Sequence, residues 1–138
     1  MNPRIKSILI VIAGTVMATI TIMIMESLPL GPEISEEIRS NPVELENFLS
    51  HIPFYWYLWI ACGYAVGSLV GGATVHLLDM DSNRNVVKLS AILMTLGILN
   101  MLMITQPWWF WGHLVVYFPS AFLGQQIVKR FKKNNLPH

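Results

Sequence analysis

Charge is scarce in this chain. Only 12% of its 138 residues are Asp, Glu, Lys or Arg, about half the share usual in a soluble domain. Cysteine is nearly absent: Cys62 is the single copy, which excludes an intrachain disulfide and leaves the redox compartment unspecified. Cys62 sits in an apolar run and reads as a small buried hydrophobe. A net charge of +1, with no basic, aromatic-interleaved surface, argues against nucleic acid as a partner. No phosphate-binding glycine loop, zinc spacing, nucleophile elbow or dinucleotide fingerprint occurs. The sequence therefore names no catalytic residue and no cofactor. Nor does it offer a metal site, since Glu26, His51 and His113 include no pair at i, i+3 or i, i+4.

What is present is apolar length. Hydrophobic residues make up 54% of the chain and the mean hydropathy is +0.52. Residues 7–25 carry no charge. A second apolar run covers 53–78, a third covers 86–105 with Lys88 as its one charge, and a fourth covers 108–128. About 20 helical residues cross a hydrocarbon core about 30 Å thick, and all four runs meet that length. The expected fold is an all-α membrane protein, a four-transmembrane-helix antiparallel bundle in one domain, 1–138. Its spans are 7–26, 53–78, 86–105 and 108–128, with an outer loop at 27–52 and a basic tail at 129–138. The first run follows Arg4 and Lys6 as a signal peptide would. It is longer than a signal core and has no small-x-small cleavage site, so it reads as a retained helix.

Orientation follows from the positive-inside rule. Arg4, Lys6, Arg84, Lys88, Lys129, Arg130, Lys132 and Lys133 all fall on one side of these spans, leaving Arg39 on the other. Both termini are then cytoplasmic, in a bacterial inner membrane. Aromatic residues agree: Trp56 and Trp59 open the second span, and Trp108, Trp109 and Trp111 open the fourth, as anchors at the outer interface. The basic tail suits anionic headgroups.

The outer loop starts with a Pro/Gly turn, SLPLGP, and carries Glu33, Glu36, Glu37, Glu44 and Glu46 as a solvated face. Asn41-Pro42-Val43-Glu44 has the form of a helix start, with Asn41 as N-cap, Pro42 at the first position and Glu44 returning to the cap. Leu45, Phe48, Leu49 and Ile52 then share one face. This predicts a short amphipathic helix across the outer end of the bundle. On the inner side, DMDSNRN reads as a tight polar turn, and His76 as an interfacial residue.

Two features carry functional weight. Gly63, Gly67, Gly71 and Gly72 form a GxxxGxxxGG series, a flat helix face that lets another backbone approach. It serves either the bundle itself or a homo-oligomer or larger membrane complex. The other feature is intramembrane polarity, costly in hydrocarbon. Thr15, Thr19 and Glu26 fall on one stripe of the first helix, expected to point into the bundle. His113, Tyr117, Ser120 and Gly124 form a stripe on the fourth, where Pro119 should kink the helix. Glu26, Asn100, Gln106 and His113 belong to the outer third of the membrane, and with Tyr117 they are the polar-pocket candidates. They form either a pocket or an interhelical hydrogen-bond network.

The motifs ME-x-x-PLGP, NP-x-E-L and the hairpin N-x-L-M-I-x-x-P-x-W-F-W resemble small uncharacterised bacterial four-span membrane proteins, over most of the chain. That resemblance implies no activity and transfers no site residue. Three functions fit the sequence. The first is a non-enzymatic accessory or small-ligand/lipid-binding bundle, in contact with the lipid bilayer. The second is an oligomeric transporter or channel for a proton, cation or small solute using Glu26, Asn100 and His113. The third is an intramembrane lipid-acting enzyme with Glu26 and His113 as acid–base pair.

Overall fold

The computed structural model describes residues 2–28, 33–79, 83–104 and 106–135. The expected SLPLGP turn at 29–32, the centre of the DMDSNRN turn at 80–82, and the last three residues of the tail lie outside them. Among the described residues every regular element is helical. The order is α1 (Pro3–Ser27), α2 (Glu36–Ser40), α3 (Pro42–His51), α4 (Phe54–Leu78), α5 (Asn83–Met103), a 3-10 segment (Trp108–Val116) and α6 (Tyr117–Asn135).

Helix starts follow local chemistry. Asn2 caps α1, its side chain accepting from the Arg4 N–H at 3.0 Å, with Pro3 at the first position. Asn41 does the same for α3, accepting from the Val43 N–H at 3.1 Å. The expected return of Glu44 to Asn41 does not form. The Asn41 N–H already closes α2, bonding the Ile38 carbonyl at 3.4 Å, so one residue ends one helix and begins the next.

Three described helices are long and apolar enough to cross a membrane: α1, α4 and α5. The chain is thus a helical protein with three candidate membrane spans, whose outward apolar surface implies contact with a bilayer. Residues 108–128, expected as a fourth span, are not one α-helix. Pro119 supplies no N–H for the Val115 carbonyl, and its ring would crowd that carbonyl in an α-turn. The chain ahead of it winds more tightly as nine residues of 3-10 helix, and α6 begins afresh with Pro119 in its first turn, where a missing N–H costs least.

α4 is the axis of the molecule, packed along α1 on one side and α6 on the other, while α5 touches all three. Glycine permits both long contacts. A Cβ on Gly71 would stand 2.9 Å from the Gly14 carbonyl, and one on Gly67 would stand 2.8 Å from that of Ala18; Gly63 abuts Met25. Gly72 instead faces the backbone of Ala121, and Gly124 of α6 faces the carbonyl of Leu69. The glycine series therefore meets helices of its own chain, with Gly63, Gly67 and Gly71 toward α1 and Gly72 toward α6.

The core between these helices is apolar, with Val75, Val86, Leu89 and Ala121 fully enclosed. Ser68 and Ser90 are enclosed too, and each hydroxyl bonds the carbonyl four residues back, at 2.8 and 2.9 Å. Cys62, expected to be buried, is exposed. It lies off the glycine-lined side of α4, on the surface that faces away from the bundle. His76, expected at an interface, is 4% exposed and enclosed at the end of α4.

Polar side chains close that end. The Ser7 hydroxyl donates to Asn85 Oδ1 at 2.6 Å and accepts from Lys88 Nζ at 2.8 Å. Asn85 Nδ2 donates to Asp79 Oδ2 at 2.9 Å, Lys6 approaches Asp79 at 4.0 Å, and Gln125 Nε2 donates to Asn83 Oδ1 at 2.7 Å. The starts of α1 and α5, the end of α4 and the second half of α6 thus share one basic end.

Candidate functional site

The other end is built from rings. Phe54 and Tyr57 of α4 meet Trp109 at centroid distances of 5.0 and 5.1 Å, and Tyr57 meets Phe110 at 5.1 Å. The buried Tyr57 hydroxyl donates to the Leu49 carbonyl at 2.9 Å, tying α3 to α4. Leu49, Ile52, Phe54, Tyr57, Pro107 and Trp109 line an open cavity of about 420 Å³ there. The tryptophans differ in exposure. Trp108 is 84% exposed, Trp109 and Trp111 are partly so, and Trp56 and Trp59 are half-buried. Trp59 Nε1 donates to the Met25 carbonyl at 3.1 Å, satisfying a backbone acceptor in the last turn of α1.

One residue that the sequence reading passed over organises the polar side chains below this layer. Tyr64 of α4 is buried. Its hydroxyl accepts from Asn100 Nδ2 of α5 at 3.1 Å and faces the Glu26 carboxylate of α1, near enough to interact with it. A phenol has one proton to give and lone pairs to receive. Accepting from Asn100 leaves that proton free to turn toward Glu26. The Tyr64 ring stacks on His113 at 5.1 Å and 27°, and lies 5.8 Å from Tyr117.

His113 is buried in the 3-10 segment and sandwiched on its other face by Phe110 at 4.3 Å. Its Nδ1 meets the Phe110 carbonyl. A carbonyl only accepts, so Nδ1 carries the proton, and neutral His113 keeps Nε2 as an acceptor. Gly97 makes room for Tyr117: a Cβ there would stand 2.7 Å from the Tyr117 hydroxyl.

Four of the five polar-pocket candidates, Glu26, Asn100, His113 and Tyr117, thus surround Tyr64. Gln106 stands apart. It is half-buried at the 3-10 start, its Oε1 enclosed without a hydrogen-bond partner among the described residues. The threonine stripe is also differently placed. Buried Ile10, Val11, Gly14 and Ala18 define the packing face of α1, and Thr15, Thr19 and Glu26 lie about 60–100° around from Ala18. Thr15 satisfies its hydroxyl on its own helix, at Val11, and Thr19 is exposed. Glu26 sits at the edge of the bundle, exposed as a residue while its carboxylate meets Tyr64.

The arrangement can hold a carboxylate fixed at a helix edge with one side open. No hydrogen bond joins Glu26 directly to His113 among the described residues. Glu26 meets the Tyr64 hydroxyl while His113 lies against the Tyr64 ring. No group of three or more His, Cys, Asp or Glu side chains able to hold a metal converges among the described residues. Tyr64 had a signal in the sequence: a lone phenol deep in an apolar span must find a partner for its hydroxyl. Compared with known protein families, with curated proteins and with solved structures, the chain finds no match.

Proposed function

We propose that this chain is a four-span, non-enzymatic membrane bundle that binds a small amine-bearing ligand or lipid headgroup at Glu26. The observation that carries the reading is the Tyr64 hydroxyl, which accepts from Asn100 at 3.1 Å and faces the Glu26 carboxylate. A hydroxyl so placed fixes a carboxylate rotamer in advance, and preorganisation of this kind lowers the cost of binding. A carboxylate only accepts hydrogen bonds, so its open side calls for a cation or an N–H donor. The internal satisfaction of Tyr64, Asn100 and His113 suits holding better than turnover.

Geometry supports a fourth crossing although its helix changes pitch. Nine 3-10 residues rise about 18 Å at about 2.0 Å each, and residues 117–128 add about 18 Å as α-helix. The sum of about 36 Å exceeds a hydrocarbon core of about 30 Å. The basic end then faces the cytoplasm with both termini, and the Tyr64 cluster lies in the opposite leaflet. An oligomeric transporter assembled through the α4 glycines loses its support, because those glycines pack within the chain.

The test is the lipid that stays with the purified protein, measured by native mass spectrometry after addition of phosphatidylethanolamine or phosphatidylcholine. Wild type is expected to retain the primary-amine lipid preferentially, and both Glu26→Gln and Tyr64→Phe to lose that preference while staying folded. Equal retention of the two lipids by wild type, or an unchanged preference in Glu26→Gln, refutes the reading.

A further inference from the structure

We infer a second lipid site, on the outward face of α6, selective for an anionic phospholipid. It rests on the reading of α6 as membrane-embedded and is separate from Glu26. Pro119, Phe122, Leu123, Gln126, Ile127 and Arg130 line a shallow groove of about 330 Å³ along this helix. Ala121, Gly124 and Gln125 are buried on the opposite side, so the groove looks away from the bundle. Leu123 and Ile127 are exposed.

Length selects the occupant. From Pro119 to Arg130 is 11 residues, about 16 Å of α-helix, and one leaflet of a hydrocarbon core is about 15 Å deep. An acyl chain laid on Pro119, Leu123 and Ile127 brings its headgroup level with Arg130. Charge selects the headgroup. Arg130 is followed by Lys132 and Lys133 and preceded by Lys129, and hydrogen bonds place the start of α5, with Arg84 and Lys88, at the same end. The one carboxylate described there, Asp79, is engaged by Asn85 and Lys6. No carboxylate pairs with Arg130 among the described residues. A guanidinium fork matches a phosphodiester bidentately, and Gln126, one turn inward, offers its amide at the depth of the glycerol esters.

The test uses the full chain in a neutral detergent, with phosphatidylglycerol and phosphatidylcholine titrated separately and the unfolding midpoint as readout. Phosphatidylglycerol is expected to raise the midpoint and phosphatidylcholine to leave it nearly unchanged. Arg130→Gln should weaken half-saturation by about tenfold, Arg130→Lys less, and Lys133→Gln by no more than about twofold. Equal losses from Arg130→Gln and Lys133→Gln would mean diffuse attraction to the tail and would overturn the site, as would glycerol phosphate acting as well as the lipid. Leu123→Cys in a Cys62→Ser background separates the two levels of failure. Labelling of that thiol by a water-soluble maleimide in membranes overturns the embedded reading and the site together. A protected thiol with an undiminished response in Arg130→Gln overturns the site alone. A thiol that crosslinks between two copies assigns the face to protein and overturns it too.

Discussion

Single atoms separate tolerated from damaging positions in this bundle. A methyl group on Gly72 would run into the Ala121 backbone, and one on Gly124 into the Leu69 carbonyl, whereas one on Gly112 meets nothing within 4 Å. Gly72→Ala and Gly124→Ala are each expected to cost about 1–3 kcal/mol or more, since backbone cannot yield as a side-chain tip can. Gly112→Ala should stay within about 0.5 kcal/mol. Thermal unfolding in detergent reads all three. Tyr64→Phe keeps the ring stacked on His113 but strands Asn100 and Glu26, and should cost about 0.5–1.5 kcal/mol. A double-mutant cycle with Asn100→Leu should recover most of that as coupling. Counting residues along the helices places Glu26, Asn100, Gln106 and His113 at one level. Three of them, Glu26, Asn100 and His113, lie around one phenol, while Gln106 stands apart. Tyr64 lay outside that count, and the threonines fall elsewhere because a stripe on one helix cannot say which side its neighbours occupy.

At the scale of the element, hydrophobic run length located α1, α4 and α5 within a few residues of their ends, since burial of apolar surface and helix length are coupled. Run length carries no information about pitch. The residues 108–128 look as uniform as any span in hydropathy, yet they hold two helix types joined at Val116 and Tyr117, with Pro119 in the first turn of the second. Restoring an N–H there lets residue 119 bond the Val115 carbonyl. Pro119→Ala should therefore extend α6 backward and shorten the 3-10 segment, seen as α-type backbone chemical shifts and slower amide exchange over residues 115–118. Unchanged shifts would assign the 3-10 winding to the packing of Phe110 and His113 instead. Of the two short helices of the loop, α3 was legible from its Asn41 cap, except that Glu44 had no N–H to return to once Asn41 also closed α2.

For the whole molecule, the two ends are held by different means: stacked rings at one, a side-chain hydrogen-bond network at the other. Asn85 is 2% exposed and lies between Ser7 and Asp79. Asn85→Leu should cost about 1–3 kcal/mol, because both partners stay where they are without it. Lys6→Ala removes only a long, water-exposed pair with Asp79 and should cost less than about 0.5 kcal/mol. Unfolding midpoints of the two variants compare them directly. Reporter fusions at each terminus are expected to place both on the cytoplasmic side; opposite sides would remove the fourth crossing. The sequence displayed which helices exist and which end is basic. It did not display that α4 is central, because adjacency in a bundle is decided by where backbone carbonyls find glycine.

The tight winding ahead of α6 also makes that segment a screw. Rewound as α-helix, its nine residues would shorten by about 4.5 Å. At about 120° per residue against about 100°, they would also turn Trp108 through about half a revolution relative to Tyr117. Such a turn would carry His113 off the Tyr64 ring, and so would link the ring layer to the surroundings of Glu26 through one helix pitch.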